Sequence, residues 1–191
     1  FEPVPVMFFN PKIKNHRINS LEQKKYQLKK YKIDFLIIIK FNKKFSSLSA
    51  EQFIKKIINN KTKCKFLYVS KNFKFGYKRQ GSVKILKKYE KSNPFYLEEI
   101  KAHEIEEIKI SSTKVRSAIE KGNIHLVNDY CGHFYEFSGE VVHGNGIGKT
   151  IGTPTANIQL NSSEKIIPLD GVYAVVCEIK GSNYKGIMNI G

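Results

Sequence analysis

Ser49-Ala50-Glu51-Gln52-Phe53-Ile54-Lys55-Lys56-Ile57-Ile58, followed after a short polar link by Phe66-Leu67-Tyr68-Val69, decides the fold class. Ser49 with Gln52 three positions on is a capping-box pattern, in which hydroxyl and carboxamide satisfy the free amides of a helix start. Phe53, Ile54, Ile57 and Ile58 then recur at helical spacing and leave the lysines on the other face. Phe66 to Val69 has the length and apolar content of a short buried strand. The same order stands upstream. Ser20 with Gln23 opens a lysine-rich helix to about Tyr31, and Phe35-Leu36-Ile37-Ile38-Ile39 reads as a strand buried on both faces, as in a parallel sheet. Helix and strand in alternation predict a doubly wound α/β layer over the first half.

The character changes near residue 131. After Ser111 a short helix is expected to Glu120, a Gly122-Asn123 break, and a second helix through Ile124 and Val127. From Phe134 onward glycines become frequent, with β-branched runs at Val141-Val142, Val172-Tyr173-Ala174-Val175-Val176 and Ile187-Met188-Asn189-Ile190. Short strands joined by glycine-rich turns predict a small barrel or sandwich. The expected division is residues 1–131 and 132–191.

The 191 residues are 41% hydrophobic and 12% aromatic, too apolar for a disordered chain. A net charge of +16 invites polyanions, yet Arg17, Arg79 and Arg116 are the only arginines among 33 basic residues. Nucleic-acid readers rely on arginine for bidentate and stacking contacts, so an anionic small substrate is the better expectation and the lysines read as solvated faces. Cys64, Cys131 and Cys177 are scattered and lack metal-ligand spacing, which fits a reducing cytosol. No apolar run approaches the roughly 20 residues of a membrane-spanning helix. Phe1 stands where a methionine would, and Ile190-Gly191 follows a strand-like run, so both ends are expected to be cut.

Three constellations carry candidate chemistry. Gly144, Gly146, Gly148 and Lys149 resemble a phosphate-cradling loop, but the spacing misses a Walker motif by one residue, and Gly152 and Pro154 break any following helix. A loop closing over phosphates and a plain hairpin connection both remain open on the glycines alone. Pro154-Thr155-Ala156-Asn157 follows, where a hydroxyl and a carboxamide two residues apart on an extended strand point the same way and offer hard oxygen ligands suited to Mg2+. Local turn hydrogen bonds are their commoner use. Ser111, Ser112, Thr113 and Arg116 place three hydroxyls and a guanidinium at a helix start, a natural anion site, although simple capping needs only one hydroxyl. Asn72-Phe73-Lys74-Phe75-Gly76 lies just past the carboxyl end of a strand, where ligands of open α/β sheets bind. Phe73 and Phe75 read equally as core residues.

Taken in order, these segments resemble the bifunctional riboflavin kinase / FAD synthetase family over essentially the whole chain. Phe1-Glu2-Pro3-Val4-Pro5, Arg17-Ile18-Asn19-Ser20 and Leu48 to Phe53 are similar to its successive strand-end and helix-start segments. Asn72 to Gly76 is similar to its nucleotide-site loop, and Ser111-Ser112-Thr113 with Arg116 to its adenylyltransferase signature. Gly139 to Gly144, Gly152 to Asn157 and Gly171 to Ala174 look like the start of its flavokinase barrel. Val4, Ser70, Lys109 and Thr153 depart from the usual pattern.

The resemblance implies a Rossmann-like nucleotidyltransferase domain followed by a small antiparallel β-barrel, both incomplete here. It implies two reactions: phosphorylation of riboflavin by ATP to FMN, and attack of FMN on the α-phosphate of ATP to give FAD. Asn72, Ser111, Ser112, Thr113 and Arg116 would hold ATP in the second. Gly144, Gly146, Gly148, Lys149, Pro154, Thr155 and Asn157 would hold nucleotide and flavin in the first, with Thr155 and Asn157 on Mg2+. The family's catalytic residues are expected outside this stretch, so the 191 residues alone are expected to be inactive. Its partners would be riboflavin, FMN and ATP, with no nucleic acid and no membrane, in the cytoplasm. Two rivals remain: another adenylyl- or cytidylyltransferase of the same superfamily, and a non-enzymatic basic barrel that binds nucleic acid.

Overall fold

The computed structural model describes all residues except 102, 103, 106, 107, 145–151, 153 and 162. Along the chain run α1 (Pro5–Phe9), α2 (Leu21–Lys30), α3 (Lys43–Ser46) and α4 (Ala50–Phe53), the last continuing as a wider π-helical stretch, Ile54–Lys61. Next come β1 (Phe66–Ser70), β2 (Lys74–Phe75), β3 (Gly81–Ser82), α5 (Val83–Glu90), β4 (Tyr96–Ile100), β5 (Glu104–Ile105) and β6 (Ile108–Lys109). The order closes with α6 (Ser112–Glu120), α7 (Ile124–Cys131), β7 (Gly139–Val142), β8 (Asn157–Leu160), β9 (Gly171–Ile179) and β10 (Ser182–Ile190). These form two compact units, residues 1–11 with 37–110, and residues 12–36 with 111–191.

In the first unit both halves of the Ser49 capping box are made, the Gln52 amide donating to Ser49 Oγ and the Ser49 amide to Gln52 Oε1. The helix it starts buries Ile54 and Ile58, and β1 pairs in parallel with β4, Phe66 opposite Tyr96 and Ser70 opposite Ile100. With α5 between the strands this is a β-α-β unit, the element the alternating pattern predicts. Its core is Ala50, Ile54, Ile58, Val69, Phe75, Val83, Leu86 and Phe95. Ile54 and Leu86 have no exposed surface, and burial of each such side chain contributes about 1.5–3 kcal/mol. β1 differs from expectation in one respect: Val69 is buried but Phe66 and Tyr68 are exposed, and Phe66 stacks on Tyr96.

The strand expected at Phe35–Ile39 is absent. Phe35 is 87% exposed and Ile37 60%. A strand buried on both faces needs neighbours on both edges, and among the described residues the run meets one isolated bridge, Glu2 alongside Lys40. There the Glu2 amide donates to Ile39 O and the Phe41 amide to Glu2 O. The apolar run thus carries the composition of an inner strand without its pairing.

In the second unit the Ser20 capping box again starts α2 as predicted. α6 and α7 form a helical hairpin on buried Val115, Ala118, Ile119 and Val127. The turn between them needs glycine at 122, where φ is +71° and a Cβ would lie 2.8 Å from the Tyr173 hydroxyl. The β-rich end consists of two antiparallel pairs, β7 with β8 and β9 with β10. Among the described residues no closed barrel forms; the architecture is mixed α/β with small sheets.

Candidate functional site

In the first unit β1 and β4 both end at one cleft. Lys71 follows β1, Ile100 closes β4 and Lys101 follows it, and with Glu99, Glu104 and Lys109 they line a cavity of about 370 Å3. Parallel strands deliver their carboxyl ends to one side, so the residues just past them converge on whatever binds there. Asn72 is exposed in the turn after β1, which the Phe73 amide closes by donating to Ser70 O at 2.9 Å. Phe75 is buried and Phe73 stacks on it, so the aromatic residues of this loop belong to the core. Of the three lysines and two glutamates of the cleft, sequence marked only Lys109, as a departure from the family pattern; for Lys71 and Lys101 the signal was their position directly after strands rather than their type.

In the second unit Ser111 is the N-cap of α6, its Oγ accepting from the Lys114 amide at 3.4 Å. Ser112 and Thr113 are exposed in the first turn. Arg116 is half-buried one turn in, and its Nε donates to His16 O at 2.9 Å. Burial lowers the pKa of the guanidinium, with Glu120 acting against it, and burial together with Arg116 and Arg17 lowers that of His16. Asn72 belongs to the first unit and Ser111, Ser112, Thr113 and Arg116 to the second.

The β7–β8 pair sets Val142 opposite Asn157 and brings two predicted residues together. A Cβ on Gly144 would lie 1.8 Å from Asn157 Nδ2 and 2.6 Å from its Cγ, so only glycine leaves the carboxamide its place. Pro154, Thr155 and Asn157 are exposed, and Asn157 is the first residue of β8 while Thr155 precedes the strand. Gly146, Gly148 and Lys149 lie outside the described residues. The donor set here is two neutral oxygens, a hydroxyl and a carboxamide, chemistry that fits a hard cation also held by phosphate oxygens.

One lysine departs from the solvated reading. Lys165 is 4% exposed; it donates to Ile18 O and to Gln23 Oε1, and its ammonium lies 4.2 Å from the centre of the Tyr135 ring. Burial pushes its pKa down to about 8, with Glu136 and Cys131 acting in the other direction. Nothing in the local sequence sets Lys165 apart from its neighbours.

The family model for FAD synthetase matches residues 1–114. The chain belongs to that family. The riboflavin kinase model matches residues 131–191 of this FAD synthetase family member. Curated relatives described as bifunctional riboflavin kinase/FMN adenylyltransferase share 41% identity in Buchnera aphidicola from Schizaphis graminum and 37% in Haemophilus influenzae, covering all of this chain and 61% and 62% of theirs. The Escherichia coli K12 relative is 34% identical over the whole chain and 61% of its own length. The chain therefore spans about 61% of the length of the relatives it matches. A crystal structure described as a macrolide-efflux protein from Streptococcus pneumoniae superposes with a TM-score of 0.83 at 32% identity, over 91% of this chain and 55% of the other. Among the described residues no helix is long and apolar enough to cross a membrane.

Proposed function

We propose that the protein makes FMN and FAD: it phosphorylates riboflavin with ATP and adenylylates FMN with a second ATP. The match of one chain to both family models, in the order adenylyltransferase then kinase, carries this reading. Residues 1–131 are assigned to the adenylyltransferase and 132–191 to the kinase, whose strands β7 to β10 belong to a barrel. The protein works in the cytoplasm on riboflavin, FMN and ATP, with nucleic acid and membrane playing no part.

In adenylyl transfer, the start of α6 takes the phosphates of ATP. Ser111, Ser112 and Thr113 present hydroxyls and amides at a positive helix end, and Arg116 adds a fixed positive fork, so phosphate charge is met without covalent chemistry. In the first unit, Asn72 and the lysines of the cleft follow the carboxyl ends of β1 and β4 and are assigned to nucleotide binding there.

In phosphorylation, Thr155 and Asn157 would hold Mg2+, which supplies charge neutralisation at the phosphates when bound. Gly144 keeps the Asn157 carboxamide in place, Pro154 fixes the backbone leading into Thr155, and Gly146, Gly148 and Lys149 are assigned to nucleotide binding.

The test is a pair of variants in protein expressed from its full reading frame. Asn157→Ala is expected to lower riboflavin phosphorylation at least tenfold and leave FMN adenylylation within twofold; Arg116→Ala is expected to do the reverse. Equal losses in both reactions for both variants would overturn the assignment of sites.

A further inference from the structure

The His16–Ile18 turn is gripped from two sides. On one, Arg116 Nε donates to His16 O at 2.9 Å. On the other, the Arg17 amide donates to Glu164 O at 2.8 Å and the Ile166 amide to Arg17 O at 2.9 Å, a one-residue parallel bridge opposite Lys165. The Arg17 guanidinium pairs with the Glu164 carboxylate, and the Lys165 ammonium donates to Ile18 O. The grip extends into α2, where Gln23 accepts from Lys165 at 3.0 Å and donates to Glu136 O at 2.9 Å.

The bonds made by Glu136, Glu164, Lys165 and Ile166 join a stretch matched by the FAD synthetase model to one matched by the riboflavin kinase model. A buried ammonium costs several kcal/mol in desolvation, and an apolar side chain of similar volume would fill the space without it. What lysine adds is direction: two hydrogen bonds to fixed carbonyl oxygens and the face of Tyr135.

We propose that Lys165 is a positioning residue for adenylyl transfer: from the kinase-matched stretch it holds the His16–Ile18 turn that braces Arg116 on α6. The inference rests on the reading of the α6 start as an ATP phosphate site. Arg116 meets a phosphate through its terminal nitrogens, and the bond from Nε to His16 O fixes the plane of the fork. Release of the turn frees that plane, so ATP binds less well in one reaction while the other proceeds.

The experiment measures both reactions against ATP concentration in the full-length protein, for wild type, Lys165→Met, Lys165→Arg and Gln23→Leu. Lys165→Met is expected to raise the KM for ATP in FMN adenylylation about tenfold with kcat nearly kept, equivalent to about 1.4 kcal/mol of binding. Lys165→Arg is expected to restore most of it, and Gln23→Leu, which removes one partner, to give a smaller rise of the same kind. The KM for ATP in riboflavin phosphorylation stays within twofold throughout. A residue that only fills the kinase-matched stretch would impair phosphorylation first, and that result overturns the proposal. So does an unchanged adenylylation KM in Gln23→Leu and in whichever Lys165 variants fold. A wild-type protein that adenylylates no FMN overturns the functional reading itself and this inference with it.

Discussion

Asn157 occupies the space that the first side-chain carbon at position 144 would take: a Cβ on Gly144 would sit 1.8 Å from the Asn157 carboxamide nitrogen. The obstacle is the end of a movable side chain, so Gly144→Ala costs little stability and displaces the carboxamide instead. The expected outcome is a loss of riboflavin phosphorylation of at least tenfold, together with a higher magnesium requirement, at a melting temperature within a few degrees of wild type. Phosphorylation at the wild-type rate would show that the close approach has no part in the reaction.

Gly76 is a different case. Its φ of +72° and ψ of 174° lie in a region essentially reserved for glycine, and a Cβ would lie 2.7 Å from the Ala50 backbone nitrogen. Gly76→Ala is expected to destabilise by about 2 kcal/mol or more, since neither backbone can yield cheaply. Urea unfolding measures it; a midpoint equal to wild type would contradict the packing described for the start of α4.

Leu86 on α5 has no exposed surface and lies at the centre of the first unit's core. Leu86→Ala is expected to cost about 2–5 kcal/mol from lost transfer energy and the cavity left behind. Lys87→Ala on the same helix, whose side chain is 60% exposed and 4.0 Å from Glu99, is expected to change stability by less than about 1 kcal/mol. The contrast between the two by chemical denaturation checks which face of α5 packs.

Lys165 gives stability a pH dependence of determined sign. Its folded pKa is pushed down to about 8 from an ordinary 10.5. Between those values the unfolded chain holds the proton and the folded one has released it, so stability rises with pH through the window and the cost of burying the charge is fully present below it. Relative to Lys165→Met, the wild type is expected to gain up to about 3 kcal/mol of unfolding free energy as pH rises from about 8 to about 10.5. Parallel curves for the two proteins would show that the ammonium is not desolvated.

What the sequence disclosed, and what it withheld, follows from the range of each interaction. The capping boxes at Ser20 and Ser49 are contacts across three residues, and both form as read. The end of α6 at Glu120, the Gly122 break and a second helix through Ile124 and Val127 follow from local signals, and they too match. The run Phe35–Ile39 has strand composition, but strands are made by partners, and its pairing is limited to one bridge. Gly144 and Asn157 were both chosen by sequence, though their mutual contact depends on the β7–β8 register. Lys165 was invisible because its partners, Ile18 and Gln23, stand more than 140 residues away.

The two activities are read together by incubating protein from the full reading frame with riboflavin, ATP and magnesium and separating the flavins over time. Riboflavin is expected to disappear, FMN to rise, and FAD to follow with release of pyrophosphate. Riboflavin left unphosphorylated and added FMN left unadenylylated, in a folded protein, would contradict the proposed function.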